Sequence, residues 1–190
     1  VIVISEFEKN LIENAGYRMK RCEIVSPGVD IEEFNAVHEN IFERYHIKEK
    51  KIILFVGRLD RNKGIDVLIK AARIVVRGYP EVIFFIVGAD FGELDNLKAL
   101  VEEYELGNYF IFSGALSRID LASAFKHADI FSLPSRYEAF GITLIEAMAA
   151  KIAVVASDCS AIPFVVRHGT TGLLFPLDNW QALADNLLYL

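Results

Sequence analysis

One recurring unit constrains this chain more than any other feature: a short apolar run that ends at a glycine or a polar loop, followed by a segment with helical patterning. The runs are rich in β-branched and aromatic residues and occupy 51–56, 82–87, 109–113, 129–134 and 153–157. Each carries apolar residues at successive positions, which is typical of strands covered on both faces. The alternation of such strands with helices predicts an α/β fold, a Rossmann-like parallel sheet with helices on both faces.

Helical signals separate the apolar runs. The segment IDVLIKAARIVVRG is amphipathic and stops near Gly78. A more polar helix follows the second run and is predicted to continue to about Leu106, and Ser117 with Asp120 three residues later predicts the start of another. A short helix near 161–168, the GLLF run and a last helix complete the pattern.

The beginning of the chain fits this plan less well. VIVIS predicts a single strand and EFEKNLIENAG a helix, before CEIVSPGVDIEEF leads into the repeating units. We therefore predict that residues 1–23 are the tail of a preceding N-terminal domain and its linker, and that residues 24–190 form the Rossmann-like domain.

Charge and cysteine content exclude several function classes. With 20 basic and 26 acidic residues the net charge is −6, which argues against a general nucleic-acid surface. Cys22 and Cys159 are far apart and form no CxxC pair, so neither a disulfide framework nor a zinc site is predicted, and a reducing compartment is expected. The longest apolar runs are too short to cross a bilayer.

Polar residues follow the predicted strands, at the sheet edge where ligands bind in folds of this kind. Arg58 and Lys63 lie five residues apart on the loop after the first run, and Gly141 precedes the helix after the fourth. Cations and the free N–H groups of a first helical turn both attract anions, so these residues predict a diphosphate site. A solvated charged loop is the plainer interpretation of the two cations.

Two glutamates, Glu138 and Glu146, stand on either side of the Phe-Gly step in SRYEAFGITLIEAMAA. A retaining glycosidase would need carboxyl groups about 5–5.5 Å apart, whereas a helix that starts at Gly141 places Glu146 roughly 7–8 Å along its axis. Two separate acceptors for the hydroxyls of one long ligand fit this spacing more easily. The plain alternatives are an exposed helix position for Glu146 and a loop charge near the helix start for Glu138.

These motifs together resemble the retaining nucleotide-sugar glycosyltransferases of group 1, the glycogen-synthase-like class with two Rossmann-like domains known as the GT-B fold. The E-x7-E motif of that class is present as Glu138-AFGITLI-Glu146, followed by AMAA. VGRLDRNKG looks like the phosphate loop of the family, SPGVDIEEF is similar to the start of its second domain, and GTTGLLF matches a late strand. The resemblance covers roughly residues 5–190, and the motifs follow the order of the family.

The resemblance implies that residues 24–190 bind a nucleotide-diphosphate sugar and that the enzyme transfers a hexose to an acceptor glycan, lipid or other hydroxyl. It implies catalytic roles for Arg58, Lys63 and Glu138. It implies donor-binding roles for Gly57, Ala115, Leu116, Ser117, Phe140, Gly141, Ile142, Thr143 and Glu146. Within this set, Arg58 and Lys63 would stabilise the leaving diphosphate, Glu138 would bond the sugar and Glu146 the ribose. The base would lie near Ala115, Leu116 and Ser117.

The same resemblance implies a UDP-, GDP- or ADP-linked sugar as substrate and no cofactor or bound metal, while the net charge of −6 predicts no nucleic-acid partner. The acceptor would bind through the N-terminal domain, without which the fragment would be inactive, and the enzyme would work in the cytoplasm or at the cytoplasmic face of a membrane. Phe164 stands where the family often has a glutamate, so the identity of the sugar stays open. A non-catalytic nucleotide-binding or partner-binding module on the same half-fold and a nucleotide-sugar epimerase are the alternatives.

Overall fold

The computed structural model describes residues 1–37 and 39–190. Its strands are β1 (Ile2–Val3), β2 (Glu23–Ile24), β3 (Lys51–Val56), β4 (Val82–Val87), β5 (Phe110–Gly114), β6 (Ile130–Leu133), β7 (Ala153–Asp158) and β8 (Leu173–Pro176). Its helices are α1 (Glu6–Asn14), α2 (Ile31–Asn35), α3 (Ile65–Gly78), α4 (Leu94–Glu103), α5 (Arg118–His127), α6 (Ile142–Ala149), α7 (Ile162–Val165) and α8 (Trp180–Tyr189). Among the helices of the described residues, none combines the length and the apolar character that a membrane span needs.

Strands β3 to β8 form one six-stranded parallel sheet, in the order β5-β4-β3-β6-β7-β8. The predicted α/β fold is therefore confirmed. From β3 the chain builds the sheet outward through β4 and β5, and then returns to the other side of β3 to place β6. In a doubly wound sheet of this order, ligands bind at the carboxyl ends of the two strands where the direction reverses. That switch point lies between β3 and β6.

The inner strands of the sheet are mostly buried because helices cover both of its faces. All six residues of β4 are buried, as its uninterrupted apolar sequence predicts. On one face α3 packs against α4 and α8. Elsewhere α5 packs against α2 and the three-ten turn Ile41–Tyr45, whose two aromatic rings contact Phe85 of β4 at centroid distances of 5.1 and 4.8 Å. Each fully buried aromatic side chain contributes about 1.5–3 kcal/mol to stability.

One predicted helix end is wrong by three residues. Helix α4 ends at Glu103, and not near Leu106, because Glu105 adopts a left-handed conformation with φ of 57°. The N–H of Leu106 then bonds the carbonyl of Val101 at 2.8 Å, which closes the helix with a Schellman turn. Glycine is the usual residue at this position, so the glutamate found there does not indicate from the sequence that the helix ends.

Residues near the beginning of the chain contact the loop after β6. Strands β1 and β2 pair with each other in a separate two-stranded parallel sheet. Ser5, the N-cap of α1, is buried and donates its hydroxyl to the carbonyl of Ala139 at 3.0 Å. The ring of Phe7 meets that of Tyr137 edge to face, with centroids 6.2 Å apart. The domain boundary at residue 23 stays a prediction.

Candidate active site

Two loops meet at the switch point, one after β3 and one after β6. They approach so closely that a Cβ atom added to Gly64 would lie 2.0 Å from the carbonyl oxygen of Pro134. Gly64 also has φ of 65°, a conformation that side chains strongly disfavour. The N–H of Arg136 bonds the carbonyl of Asn62 at 2.6 Å and fixes the second loop to the first. Backbone contacts thus align the predicted phosphate loop with the E-x7-E motif.

Lys63 and Glu138 are joined across this junction. The ammonium group of Lys63 donates a hydrogen bond to Oε1 of Glu138, and the hydroxyl of Ser135 donates to the same oxygen at 3.1 Å. The two charged side chains are only 16% and 12% exposed. A solvated loop position is therefore the wrong interpretation of Lys63, and a simple loop charge is the wrong interpretation of Glu138. A carboxylate that accepts two hydrogen bonds is held in a defined orientation.

Arg58 differs from Lys63 because its side chain is 60% exposed. Its guanidinium lies 3.4 Å from Asp60 Oδ2 and 5.1 Å from the centroid of the Phe91 ring. The interpretation as a solvated loop cation describes its surroundings correctly. The side chain nevertheless stands at the rim of the cavity that the two loops enclose, where it can reach an anion.

That cavity has a volume of about 310 Å³. Eight of the twelve predicted site residues line it: Gly57, Arg58, Lys63, Glu138, Phe140, Gly141, Ile142 and Thr143, together with Ile4, Pro27, Val56 and Ala139. As predicted, Gly141 precedes the first residue of α6, with φ of 91°. The unpaired N–H groups of a helical first turn make this end of the cavity favourable for an anion.

Glu146 lies deeper, and it is 5% exposed. An exposed helix position is therefore the wrong interpretation of this glutamate. Its Oε1 accepts a hydrogen bond from Nη1 of Arg118, the first residue of α5. Nε and Nη2 of Arg118 also donate to the two carboxylate oxygens of Glu33, both at 2.6 Å. Hydrogen bonds to Glu33 and Glu146 raise the pKa of Arg118 well above its ordinary value.

The other predicted donor-binding residues, Ala115, Leu116 and Ser117, form the loop between β5 and α5. Ser117 is the N-cap of α5, where its hydroxyl accepts a hydrogen bond from the N–H of Asp120 at 3.2 Å. These residues and Glu146 do not line the cavity at the phosphate loop. Arg118, which follows Ser117 in the chain, joins this loop to Glu146 through its hydrogen bond to the carboxylate. The roles predicted for all twelve residues stay predictions.

A second ion pair supports the loop that carries Glu138. Arg136 donates two parallel hydrogen bonds of 2.9 Å to the carboxylate of Asp66, on the first turn of α3. It also bonds the carbonyl of Arg61 at 2.7 Å and contacts Asp178 at 2.8 Å. Burial raises the pKa of Asp66, but the hydrogen bonds and charge of Arg136, with help from Lys70, outweigh burial and lower it.

Four residues of the site were not predicted from the sequence: Arg118, Glu33, Arg136 and Asp66. Their pairs join residues that are 28, 85 and 70 positions apart, so no local spacing could reveal them. The one available signal was Glu146 itself, because a charge on an apolar helix requires a partner. Within the described residues there is no cluster of three or more His, Cys, Asp or Glu side chains that could hold a metal ion.

Known proteins match both the sequence and the fold. Residues 37–190 match the family described as "Glycosyl transferases group 1". The phosphatidyl-myo-inositol mannosyltransferase of Mycobacterium tuberculosis H37Rv is 39% identical over 168 residues, which are 85% of this chain and 42% of that protein. Sucrose-phosphate synthase from Thermosynechococcus elongatus superposes with a TM-score of 0.88 at 30% identity, over 100% of this chain and 48% of that one.

A third match is a complex with a nucleotide sugar. HepE of Anabaena, crystallised with UDP-glucose, has a TM-score of 0.88 and 25% identity, over 100% of this chain and 52% of that one. The chain therefore spans about half of these two solved structures and less than half of the curated relatives. The extent of the family match and the identity to these relatives show that the chain belongs to the group 1 glycosyltransferases.

Proposed function

We propose that this chain is the donor-binding half of a retaining glycosyltransferase, which transfers a hexose from a nucleoside-diphosphate sugar to an acceptor glycan, lipid or other hydroxyl. The cavity at the switch point carries the proposal, because it joins two cations, a helix N-terminus and the carboxylate of Glu138. The UDP-glucose bound to the related HepE makes a UDP-sugar the first donor to test.

The diphosphate would lie between the first turn of α6 and the loop that carries Arg58 and Lys63. The N–H groups of that turn and the helix dipole favour a phosphate there. One of the three N–H donors of Lys63 bonds Glu138, so two are left for phosphate oxygens. As the bond between sugar and phosphate breaks, negative charge develops on the diphosphate. Cations that are already in place stabilise that charge without reorganisation.

The two glutamates would hold opposite ends of the donor. Glu138 lines the cavity and is oriented by hydrogen bonds from Lys63 and Ser135, so it can accept a hydrogen bond from a sugar hydroxyl. Glu146 lies outside this lining, beside the loop predicted for the base, and it would accept hydrogen bonds from the ribose hydroxyls. A second domain would bind the acceptor substrate, because transfer requires a closed cleft that orients both substrates and excludes water.

Titration of two variants tests this division. Glu146→Gln removes the negative charge of the carboxylate that would accept hydrogen bonds from the ribose hydroxyls. Because charge-assisted hydrogen bonds contribute about 1.5–3 kcal/mol each, affinity for UDP should fall by roughly ten- to hundred-fold. Glu138→Gln should leave UDP affinity nearly unchanged and weaken only UDP-glucose. GDP, ADP and their glucose conjugates are measured in parallel.

Glu102→Gln is a matched control, because Glu102 is exposed on α4 and does not line the cavity. It should change neither affinity. Equal losses for nucleotide and nucleotide sugar in both site variants would contradict the division of roles. If the unmodified protein bound none of these six ligands, the donor-binding function itself would be wrong.

A further inference from the structure

Glu146 presents a problem that its proposed role alone does not solve. Its carboxylate is buried on α6, between Leu144 and Ala147, which are fully buried. An ionised carboxylate removed from water is strongly destabilised unless an opposite charge and hydrogen bonds compensate it. A carboxylate turned away from the ligand would be a poor acceptor for ribose hydroxyls. A partner must compensate the carboxylate of Glu146 and fix its direction.

Arg118 is the group that does so. Its planar guanidinium divides its donors between two carboxylates: Nη1 bonds Glu146 at 2.5 Å, while Nε and Nη2 hold Glu33 bidentately. The bidentate pair fixes the plane of the guanidinium, and that plane determines where the Oε1 atom of Glu146 lies. Lysine could not replace this geometry, because an ammonium group is a point charge without a rigid fork.

The arrangement uses only one oxygen of Glu146. Oε1 accepts from Arg118, whereas Oε2 accepts no hydrogen bond from any of the described residues and is not completely enclosed. Arg118 follows directly after Ala115, Leu116 and Ser117, the loop predicted for the base. The second oxygen is therefore left for a ligand group at the nucleoside end of the donor.

We propose that Arg118, fixed by Glu33, is the positioning residue for ribose recognition: it holds Glu146 so that Oε2 accepts hydrogen bonds from the ribose hydroxyls, and it thereby selects ribonucleotides over 2′-deoxyribonucleotides. The inference rests on the proposed function of Glu146 and adds the pair that orients it. A site built to bond a hydroxyl rejects the analogue without it, because its own acceptor then stays unpaired.

The test is the ratio of dissociation constants for 2′-deoxy-UDP and UDP, or for the corresponding GDP or ADP pair if that nucleotide binds more tightly. We expect a ratio on the order of ten or more in the unmodified protein, which corresponds to about 1.4 kcal/mol or more. Arg118→Met should bring the ratio close to one, mainly by weakening UDP. Arg118→Lys and Glu33→Gln should give intermediate ratios, since each preserves part of the arrangement.

Arg44→Met is the matched control, because Arg44 also pairs with a carboxylate at the start of α5, Asp120, but does not contact Glu146. It should leave the ratio unchanged. A purely structural role for Arg118 would lower the melting temperature of its variants without changing the ratio. If Arg118→Met fails to fold, Arg118→Lys and Glu33→Gln decide the question.

Two results would overturn the inference while leaving the proposed function intact. One is tight UDP binding with no preference for the ribonucleotide. The other is an unchanged ratio in folded variants of Arg118 and Glu33. Absence of binding to UDP, GDP and ADP in the unmodified protein would instead remove the proposed function, and the inference with it.

Discussion

Lys63 donates a hydrogen bond to Glu138 across the switch point, so the cation predicted for the diphosphate and the carboxylate predicted for the sugar are in direct contact. Both side chains are largely buried, and each supplies the charge that compensates the other. The pair therefore contributes to folding as well as to the proposed chemistry. Substitution of one partner would leave an uncompensated charge in a poorly solvated place.

The effect on stability can be measured directly. Lys63→Met should lower the free energy of unfolding by about 3 kcal/mol, because loss of one partner of a buried ion pair leaves the other uncompensated. The double variant Lys63→Met/Glu138→Gln should recover part of that loss, since neither charge is then present. Urea unfolding of both variants tests this. A double variant less stable than Lys63→Met alone would contradict the coupling between the two side chains.

Arg58 should behave in the opposite way. Its side chain is exposed, so Arg58→Met should change the free energy of unfolding by less than about 0.5 kcal/mol. Affinity for UDP should fall about tenfold at low ionic strength, and the factor should shrink in about 0.5 M salt, where exposed charges are screened. Calorimetric titration at two salt concentrations measures both. Arg61→Met, a variant on the same loop outside the cavity lining, should have a smaller effect, and an equal one would indicate only a general attraction of anions.

Asp66 gives a prediction about pH. Because its pKa is lowered in the folded protein, the ion pair with Arg136 stabilises the protein at pH values above the unfolded pKa of about 3.9, and this stabilisation is lost as pH falls through the folded pKa. At pH 7, Asp66→Asn should cost about 2 kcal/mol. The difference from the unmodified protein should diminish from about pH 4 downward.

Urea unfolding between pH 7 and about pH 2.5 measures this difference. Asp185→Asn changes an exposed aspartate on α8 and should have little effect at any of these pH values. A difference between Asp66→Asn and the unmodified protein that grows on acidification would show that Arg136 does not stabilise the ionised carboxylate.

The strands were predictable because a strand that is buried on both faces has an uninterrupted apolar sequence. Runs such as KIILFV and VIFFIV coincide with β3 and β4, and the order of strands and helices predicted the parallel sheet. The end of α4 was not predictable, because its closing turn uses Glu105 where glycine is usual. The hydrogen bond between Ser5 and Ala139 joins residues 134 positions apart, and neither segment contains a sequence pattern that predicts it.

The site was predicted in part for a similar reason. Most residues that line the cavity belong to two continuous segments, the phosphate loop and the E-x7-E motif, so each segment could be recognised by itself. The side chains that pair with Glu146 and Asp66 could not be recognised in this way. A glutamate on an apolar helix predicts that a positive charge lies nearby, but the identity of that partner, Arg118, depends on residues 28 positions apart being brought together by the fold. Similarly, the ion pair between Arg136 and Asp66 can form only when β3 and β6 lie side by side in the sheet.

Gly64 determines which changes a combinatorial library can accept at this site. Since the carbonyl of Pro134 occupies the place of a side chain, no substitution elsewhere can create the missing space without moving the backbone of the E-x7-E loop. Random replacement followed by selection for folding should return glycine at this codon almost every time. Gly107, where an added Cβ meets nothing within 4 Å, should accept many residues. For an engineer who wishes to change donor preference, the side chains around the cavity can be varied, while the junction that aligns the two loops has to be kept.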